Sequence, residues 1–344
     1  MKNTLKINPK VGWITVNRTC NMRCGWCYAK GTNYKGEMSL DFAKKLASLL
    51  KDCGVRRLII IGGEPTLWSH LLEFNEFCRD LNLKTQMVTN SLRFSDNHFW
   101  SEYKERPNDL IGVSLKGYDD PIYKAVTGIS DFTSIKSGLK RALNFFQCGV
   151  STVYGSSDGN ELVSTANFAK EVGANYLSIG FCNPSITKAG VSGEFLSKST
   201  DVVSGIVNSY QEVSSIMNDK MGFSMKIPLC LLPKDFLSLL VSKKQISTLC
   251  QLRHKTGLIF DVEGEVIVCN TLFDYPIGKF GEDFTTKEEL LSFLNSPVIS
   301  GYYDKLNNYP SEKCISCKEY SRCGGGCPMF WSYYKAGEII KGFD

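Results

Sequence analysis

The sequence predicts an α/β fold: a partial (β/α)6 TIM-like barrel, then a helical bridge, then a small cysteine-rich domain. Three observations carry this expectation. Strand-like and helix-like segments alternate from residue 11 to about 181, the alternation stops after Cys182, and the tail from residue 310 is dense in cysteine and glycine. The domain boundaries expected from them are 1–183, 184–249 and 250–344.

The first strand reads as Trp13 to Asn17 and runs straight into a cysteine loop. Ser39 can cap a helix with apolar positions Leu40, Ala43, Leu46, Leu50 and Cys53, stopped by Gly54. Arg57 to Ile61 is a short apolar run closed by Gly62-Gly63, hence a buried strand. Trp68 to Leu81 is helical. Lys84 to Thr89, Leu110 to Leu115, Val150 to Tyr154 and Tyr176 to Gly180 complete six strands, separated by helical stretches near 95–103, 133–147 and 161–172. Repeated right-handed crossovers make the sheet parallel and curl it toward a barrel. Six units are too few to close eight strands, and reactive groups belong at the carboxyl ends of the strands. In the bridge, 202–217 and 234–241 look helical. LIFDVEGEVIVC (258–269) alternates apolar residues on both sides of Glu263-Gly264, a hairpin. Thr286 and Glu289 form a capping box for a short helix.

The chain has 344 residues, 43% hydrophobic and 22% charged, with a net charge of +5. That is long enough to bury a core without disulfides. The charge is too mild to imply nucleic acid, and no clustered-arginine helix-turn-helix is present. No apolar stretch approaches the length of a membrane span or a secretory signal. Three histidines, His70, His98 and His254, are scattered, which leaves little for histidine-based zinc catalysis. Against this stand fourteen cysteines. In a chain lacking an export signal, metal or redox chemistry explains them better than disulfides. Cys53 and Cys78, on apolar helix sides, read as small buried hydrophobes.

Cys20, Cys24 and Cys27 lie within eight residues at the end of the first strand. Three thiolates can ligate three irons of a [4Fe–4S] cube and leave the fourth open to a small molecule. A structural zinc site wants four ligands, and no fourth lies nearby. The C-x3-C-x2-C spacing, with Trp26 before the third cysteine, resembles the radical S-adenosylmethionine (SAM) enzymes. Gly62-Gly63-Glu64-Pro65 at the second strand end resembles that family's GGEP motif, whose backbone and carboxylate hold the SAM amino group. Asn90 (after Thr89) and Ser114 occupy strand ends where such enzymes touch SAM, although a plain turn also explains them. The family commonly reads S-L-D-G where this chain has Ser114-Leu115-Lys116-Gly117. The resemblance implies SAM and a [4Fe–4S] cluster as cofactors, one-electron cleavage of SAM to methionine and a 5′-deoxyadenosyl radical, and hydrogen abstraction from an unactivated carbon.

A second set follows: Cys250, Gly264 and Cys269, then Cys314-x2-Cys317-x5-Cys323-x3-Cys327. Alone, the last four could be a zinc knot. Together the two halves resemble the SPASM extension of radical SAM enzymes, which holds auxiliary [4Fe–4S] clusters with seven cysteines. By that analogy Cys314, Cys317 and Cys323 share one cluster, and Cys250, Cys269 and Cys327 share another. The family's seventh cysteine is missing before Asp344, so each set is a ligand short. Cys230 is the candidate to complete the set of Cys250, against a reading as a buried apolar thiol. The other set would use Asp344 or another oxygen ligand, or stay open.

Auxiliary clusters suit a substrate radical that must lose a second electron. Within the family this accompanies peptide modification, which makes a peptide the expected substrate and a ribosomal-peptide crosslink the expected product. Sulfatase-type formylglycine formation is an alternative, weakened because Asn270 follows Cys269 where those enzymes usually carry aspartate. Small-molecule alcohol dehydrogenation is another. The first strand starts near residue 11, so a leader peptide would need a separate binding protein or the bridge. A flavodoxin- or ferredoxin-type reductant and a cytoplasmic, well-reduced location complete the expectation. Tyr154, Ser156 and Cys182 should lie near the barrel mouth; no catalytic acid or base is singled out.

Overall fold

The computed structural model describes residues 9–29, 36–193 and 199–342. The chain divides into two compact units, one of residues 1–22, 29–112 and 251–307, the other of 23–28, 113–250 and 308–344.

The first unit contains β1 (Val11–Thr15), α1 (Leu40–Asp52), β2 (Arg57–Ile61), α2 (Leu71–Asp80), β3 (Lys84–Thr89), α3 (Asn97–Glu105) and the first half of β4 (Leu110–Leu115). β1 pairs parallel with β2, and β2 with β3. α1 forms as its caps dictate. The Ser39 side chain accepts from the Phe42 amide, and Ala43, Leu46, Ala47, Leu49 and Leu50 are buried along one face. β1 stops two residues short of the expected end because Asn17 is turned to other work, described below.

The second unit contains the rest of β4, α4 (Asp120–Thr127), α5 (Phe132–Phe146), β5 (Val150–Tyr154), α6 (Gly159–Glu171) and β6 (Leu177–Phe181). β4, β5 and β6 pair parallel in sequence order. All six expected strands are therefore present. α4 was not expected from the sequence, yet its signals are there: Asp119 caps it, Pro121 sits in its first turn, and Gly128 ends it at φ +76°.

The bridge is not merely helical. After a small hairpin of β7 (Ser185–Thr187) and β8 (Gly190–Ser192) and the long α7 (Ser199–Ile216), β9 (Met221–Ser224) joins β6 in parallel. α8 (Lys234–Ser242) then leads to β10 (Ile246–Ser247), which pairs with β9.

From α9 (Gln251–His254) the chain returns to the first unit. The expected hairpin is β11 (Gly257–Phe260) and β12 (Glu265–Ile267). β11 also pairs parallel with β1, residue for residue from Val11–Gly257 to Ile14–Phe260, so the hairpin extends that unit's sheet. β13 (Gly278–Lys279) follows, then α10 (Lys287–Leu294) with the Thr286–Glu289 capping box formed, and α11 (Pro297–Leu306). Among the described residues no helix is long and apolar enough to cross a membrane.

One ion pair pins the hairpin turn to the strand that feeds the cysteine loop. Arg18 is bonded to Asp261, with side-chain exposures of 3% and 10%, and its guanidinium lies 5.2 Å from the Phe273 ring centre. Breaking a buried pair leaves an uncompensated charge. Arg18→Met is expected to lower stability by about 3–5 kcal/mol, and Asp261→Asn added to it should recover part of the loss; urea midpoints of the full chain measure both.

Candidate active site

The front of the first unit is built around Glu64. This carboxylate is 1% exposed. It accepts from the Thr66 amide (3.2 Å), the Thr66 hydroxyl (2.8 Å), the Thr89 hydroxyl (2.6 Å) and the Asn90 amide (2.8 Å). Burial pushes its pKa up, and those four donors pull it back toward the charged form. The resemblance gave this carboxylate to a ligand's amino group. Both of its oxygens also accept from the adjoining turns, because a buried carboxylate needs donors. Pro65 opens a short 3-10 turn (Pro65–Leu67) with Glu64 as its cap.

Gly62 and Gly63 are required by a close approach. The Gly63 amide donates to Asn17 O (2.9 Å), the Glu64 amide to Thr19 O (2.8 Å), and Asn17 Nδ2 to Glu64 O (3.0 Å). A Cβ on Gly62 would lie 2.2 Å from Asn17 Oδ1, and one on Gly63 would lie 2.3 Å from Thr19 O. Asn17 and Thr19 are site-building residues that the sequence reading missed. The signal available was their position immediately before Cys20, facing a double glycine.

Asn90 continues the chain of contacts. Its side-chain Nδ2 donates to Asn21 Oδ1 (2.8 Å) and stands 4.0 Å from Cys20 Sγ, while its Oδ1 accepts from the Leu92 amide. The Met22 amide lies 3.4 Å from the same sulfur. Cys20 thus sits among N–H donors, the environment of a thiolate ligand.

The second unit holds the other end of the loop. The Arg23 amide donates to Thr127 O (2.8 Å) and the Gly25 amide to Val126 O (3.2 Å), so the end of α4 anchors it. Burial raises the Cys24 pKa, the Lys116 ammonium lowers it, and Cys27 raises it. Trp26 and Lys116 line an open cavity of about 230 Å³ together with Tyr154, Glu161 and Cys182. The Tyr154 hydroxyl donates to Asp158 O (3.1 Å), and burial pushes its pKa to about 12. Burial likewise pushes the Cys182 thiol to about 11, which makes it a wall rather than a ready nucleophile. Ser114, half-buried in β4, pairs in register with Ser151.

In the rear set, Cys314, Cys317 and Cys323 lie near one another as the resemblance implied, and Cys230 joins them. Cys314 has Cys323, Cys230 and Cys317 as its thiol neighbours, and Cys323 has Cys230. Burial is the larger cause raising both pKa values, with the neighbouring thiols adding to it. Cys230, expected to join Cys250, lies within electrostatic range of Cys314 and Cys323. Cys327 and Cys250 belong to the same unit, Cys269 to the first. Asp344 lies outside the described residues. Among the described residues no three His, Cys, Asp or Glu side chains converge tightly enough for a single metal ion. Sulfurs of a tetrahedral zinc site stand about 3.8 Å apart given Zn–S bonds of ~2.3 Å; thiolates at the corners of a cube stand wider. Sets of four thiols are the donor type that iron–sulfur clusters take. Cys53 is half-buried and Cys78 fully buried, with its pKa pushed to about 12, as structural thiols should be.

Residues 14–169 match the Radical SAM superfamily. That match covers under half of the chain, and the cofactors of that family are SAM and a [4Fe–4S] cluster. Curated relatives include the probable GTP 3′,8-cyclase of Thermococcus kodakarensis, 24% identical over 165 residues, 46% of this chain and 53% of that protein. Another is the probable GTP 3′,8-cyclase of Archaeoglobus fulgidus, 31% identical over 134 residues, 38% of this chain and 43% of that protein. The chain spans about half the length of the curated relatives it matches. Solved structures of similar fold include Streptococcus suis SuiB bound to precursor peptide SuiA, with TM-score 0.71, 15% identity, 98% of this chain and 76% of that one. Native anSMEcpe with bound AdoMet and Cp18Cys peptide gives TM-score 0.71, 17% identity, 97% of this chain and 92% of that one. These likenesses show the α/β fold with its partial barrel.

Glu64→Gln would set an amide NH2 against the donors of Thr66, Thr89 and Asn90. A buried polar group left without its partner costs about 1–3 kcal/mol. The expected outcome is a lower urea midpoint together with at least about tenfold weaker SAM binding, that is ~1.4 kcal/mol, measured by equilibrium dialysis of the reconstituted protein.

Proposed function

We propose that this chain is a radical SAM enzyme that oxidatively modifies a peptide. Cys20, Cys24 and Cys27 would hold the SAM-binding [4Fe–4S] cluster, and a SPASM-like tail would hold auxiliary clusters. When bound, the front cluster and SAM supply a 5′-deoxyadenosyl radical that takes a hydrogen atom from carbon. The protein's share is positioning. Gly62 and Gly63 bring the β2 turn close to the loop backbone, Glu64 and Asn90 fix the loop at Cys20, and Trp26 walls the cavity beside Lys116. Ser114 and Pro65 stand as further SAM-side positions carried by the resemblance.

The observation that favours a peptide is the character of that cavity. A nucleoside triphosphate is a polyanion and calls for several arginine or lysine clamps. Among the described lining residues there is one ammonium, Lys116, and one carboxylate, Glu161; the rest are neutral. An open cavity of about 230 Å³ with balanced charge suits one amino-acid side chain presented from outside. Two further facts support this reading. SuiB and anSMEcpe, solved with bound peptides, share the fold over nearly the whole chain, whereas the cyclases match less than half of it. A thioether or carbon–carbon crosslink is the product class favoured, with formylglycine formation and alcohol dehydrogenation as the other chemistries of the same site. A flavodoxin- or ferredoxin-type reductant and a separate leader-binding protein would be partners, in the cytoplasm.

The test is direct. Reconstituted protein with dithionite and SAM should release 5′-deoxyadenosine, and Cys24→Ala should reduce that release at least about a hundredfold, ~2.7 kcal/mol. Unchanged release from that variant would remove the front-loop assignment. Presenting GTP and, separately, a library of cysteine- and serine-containing peptides distinguishes the substrates by mass spectrometry. A peptide two hydrogens lighter supports the proposal; conversion of GTP alone overturns it.

A further inference from the structure

We propose that Cys230 is a ligand of an auxiliary [4Fe–4S] centre, completing a set of four thiolates with Cys314, Cys317 and Cys323. The proposal rests on the reading of the tail as a cluster-binding domain. What it adds is a ligand drawn from the bridge, upstream of both rear cysteine sets, and a set that is complete within one unit of the fold.

The placement of Cys230 is built, not incidental. Its 3-10 turn (Leu229–Leu231) follows Pro228 and is anchored by Leu229, whose side chain is fully buried. The Leu229 amide donates to Cys323 Sγ at 3.2 Å, which puts the residue next to Cys230 in hydrogen-bond contact with the tail. Three residues nearer β9, Lys226 O accepts from the Cys327 amide at 2.6 Å. The backbones approach so closely there that a Cβ on Gly326 would lie 2.8 Å from Lys226 O and 3.1 Å from Pro228 Cδ. Gly326 also holds φ +81°, a conformation glycine adopts without strain. Downstream, the Thr248 hydroxyl donates to Arg322 O at 2.6 Å. The Cys323–Cys327 turn is therefore gripped from both sides by the bridge, and Cys230, beside Leu229, lies within electrostatic range of Cys314 and Cys323.

An apolar thiol is a poor account of this environment. Cys78, which is one, has no exposed surface and no thiol near it among its interactions. Cys230 is half-buried among sulfurs. Four thiolates at Coulomb range repel one another, and they coexist when a metal centre supplies positive charge. Four cysteine ligands are the usual complement of a cubane cluster. With Cys230 included, the centre needs no oxygen ligand and no open iron.

The experiment uses the full chain with Cys20, Cys24 and Cys27 replaced by alanine, so that remaining iron reports the rear sites alone. After anaerobic reconstitution, iron, zinc and sulfide are counted, and Mössbauer and EPR spectra are recorded. Adding Cys230→Ala is expected to remove up to about four irons per chain, or to leave a cluster that yields a three-iron EPR signal on mild oxidation. Cys230→Ser, which keeps a weaker donor, should retain more iron than Cys230→Ala. Cys148→Ala, which deletes an isolated thiol, should retain all of it, and far-UV circular dichroism compares the folds. Unchanged iron and spectra in Cys230→Ala overturn the proposal. So does an equal loss in Cys148→Ala, or zinc in place of iron in the parent. SAM cleavage by the unaltered chain is read separately; its failure would strike the front-loop reading and leave this ligand count standing.

Discussion

A fully buried carboxylate constrains the front of the first unit. Removing an ionised group from water costs several kcal/mol unless donors replace the lost hydration. Glu64 obtains four, from Thr66 on its own turn and from Thr89 and Asn90 at the end of β3. That requirement locks two strand ends together. Asn90 then carries the order forward to Asn21 and Cys20, and Asn17 carries it from the β1 end to the backbone of Glu64. The first thiol of the loop is positioned by this relay more than by its own short segment. Gly62 and Gly63 are the condition for it, since any side chain there would push the β1 end away.

Electrostatics near the loop's other end follow from a single exchange. Where the related family commonly has aspartate, this chain has Lys116, and its ammonium acts on Cys24 against the effect of burial. A carboxylate there would repel a thiolate ligand; an ammonium favours one. The same Lys116 opens onto the cavity opposite Glu161. It acts on the loop and lines the cavity at once, and that limits how much charge it could offer a polyanion there.

Much of the architecture was legible because it is local. Arg57–Ile61 and Lys84–Thr89 are strands with the bounds their apolar runs suggest, and Thr286 with Glu289 caps a helix as the spacing implies. The missing parts depend on distant pairing. β9 and β10 are four and two residues long, too short for a periodic signal, and they are strands because β6 offers an edge. β11 read as half of a hairpin, but its parallel partner β1 lies over two hundred residues away and leaves no mark in local alternation. At the site, residue types and spacing singled out the candidate side chains. They did not show that Glu64 turns inward, because that depends on Thr89 and Asn90 arriving from another strand. Nor did they show which thiols Cys230 meets.

The tail presents the opposite balance from the front. Its helices Tyr320–Cys323 and Ala336–Ile339 are single turns with no buried residues, far below the length at which a helix holds by itself. Three successive glycines, Gly324 to Gly326, all take positive φ, a conformation that contributes no side-chain packing and has a high entropic cost to fix. Order there comes in part from outside, from Lys226, Leu229 and Thr248 on the bridge, and on the proposed reading from the centre the thiols would hold. When ligands must gather before a site exists, binding free energy and folding free energy become one quantity. A thiol contributed by the bridge then does more than fill a coordination position, because it makes the order of the tail depend on the same β9–α8 segment that extends the parallel sheet.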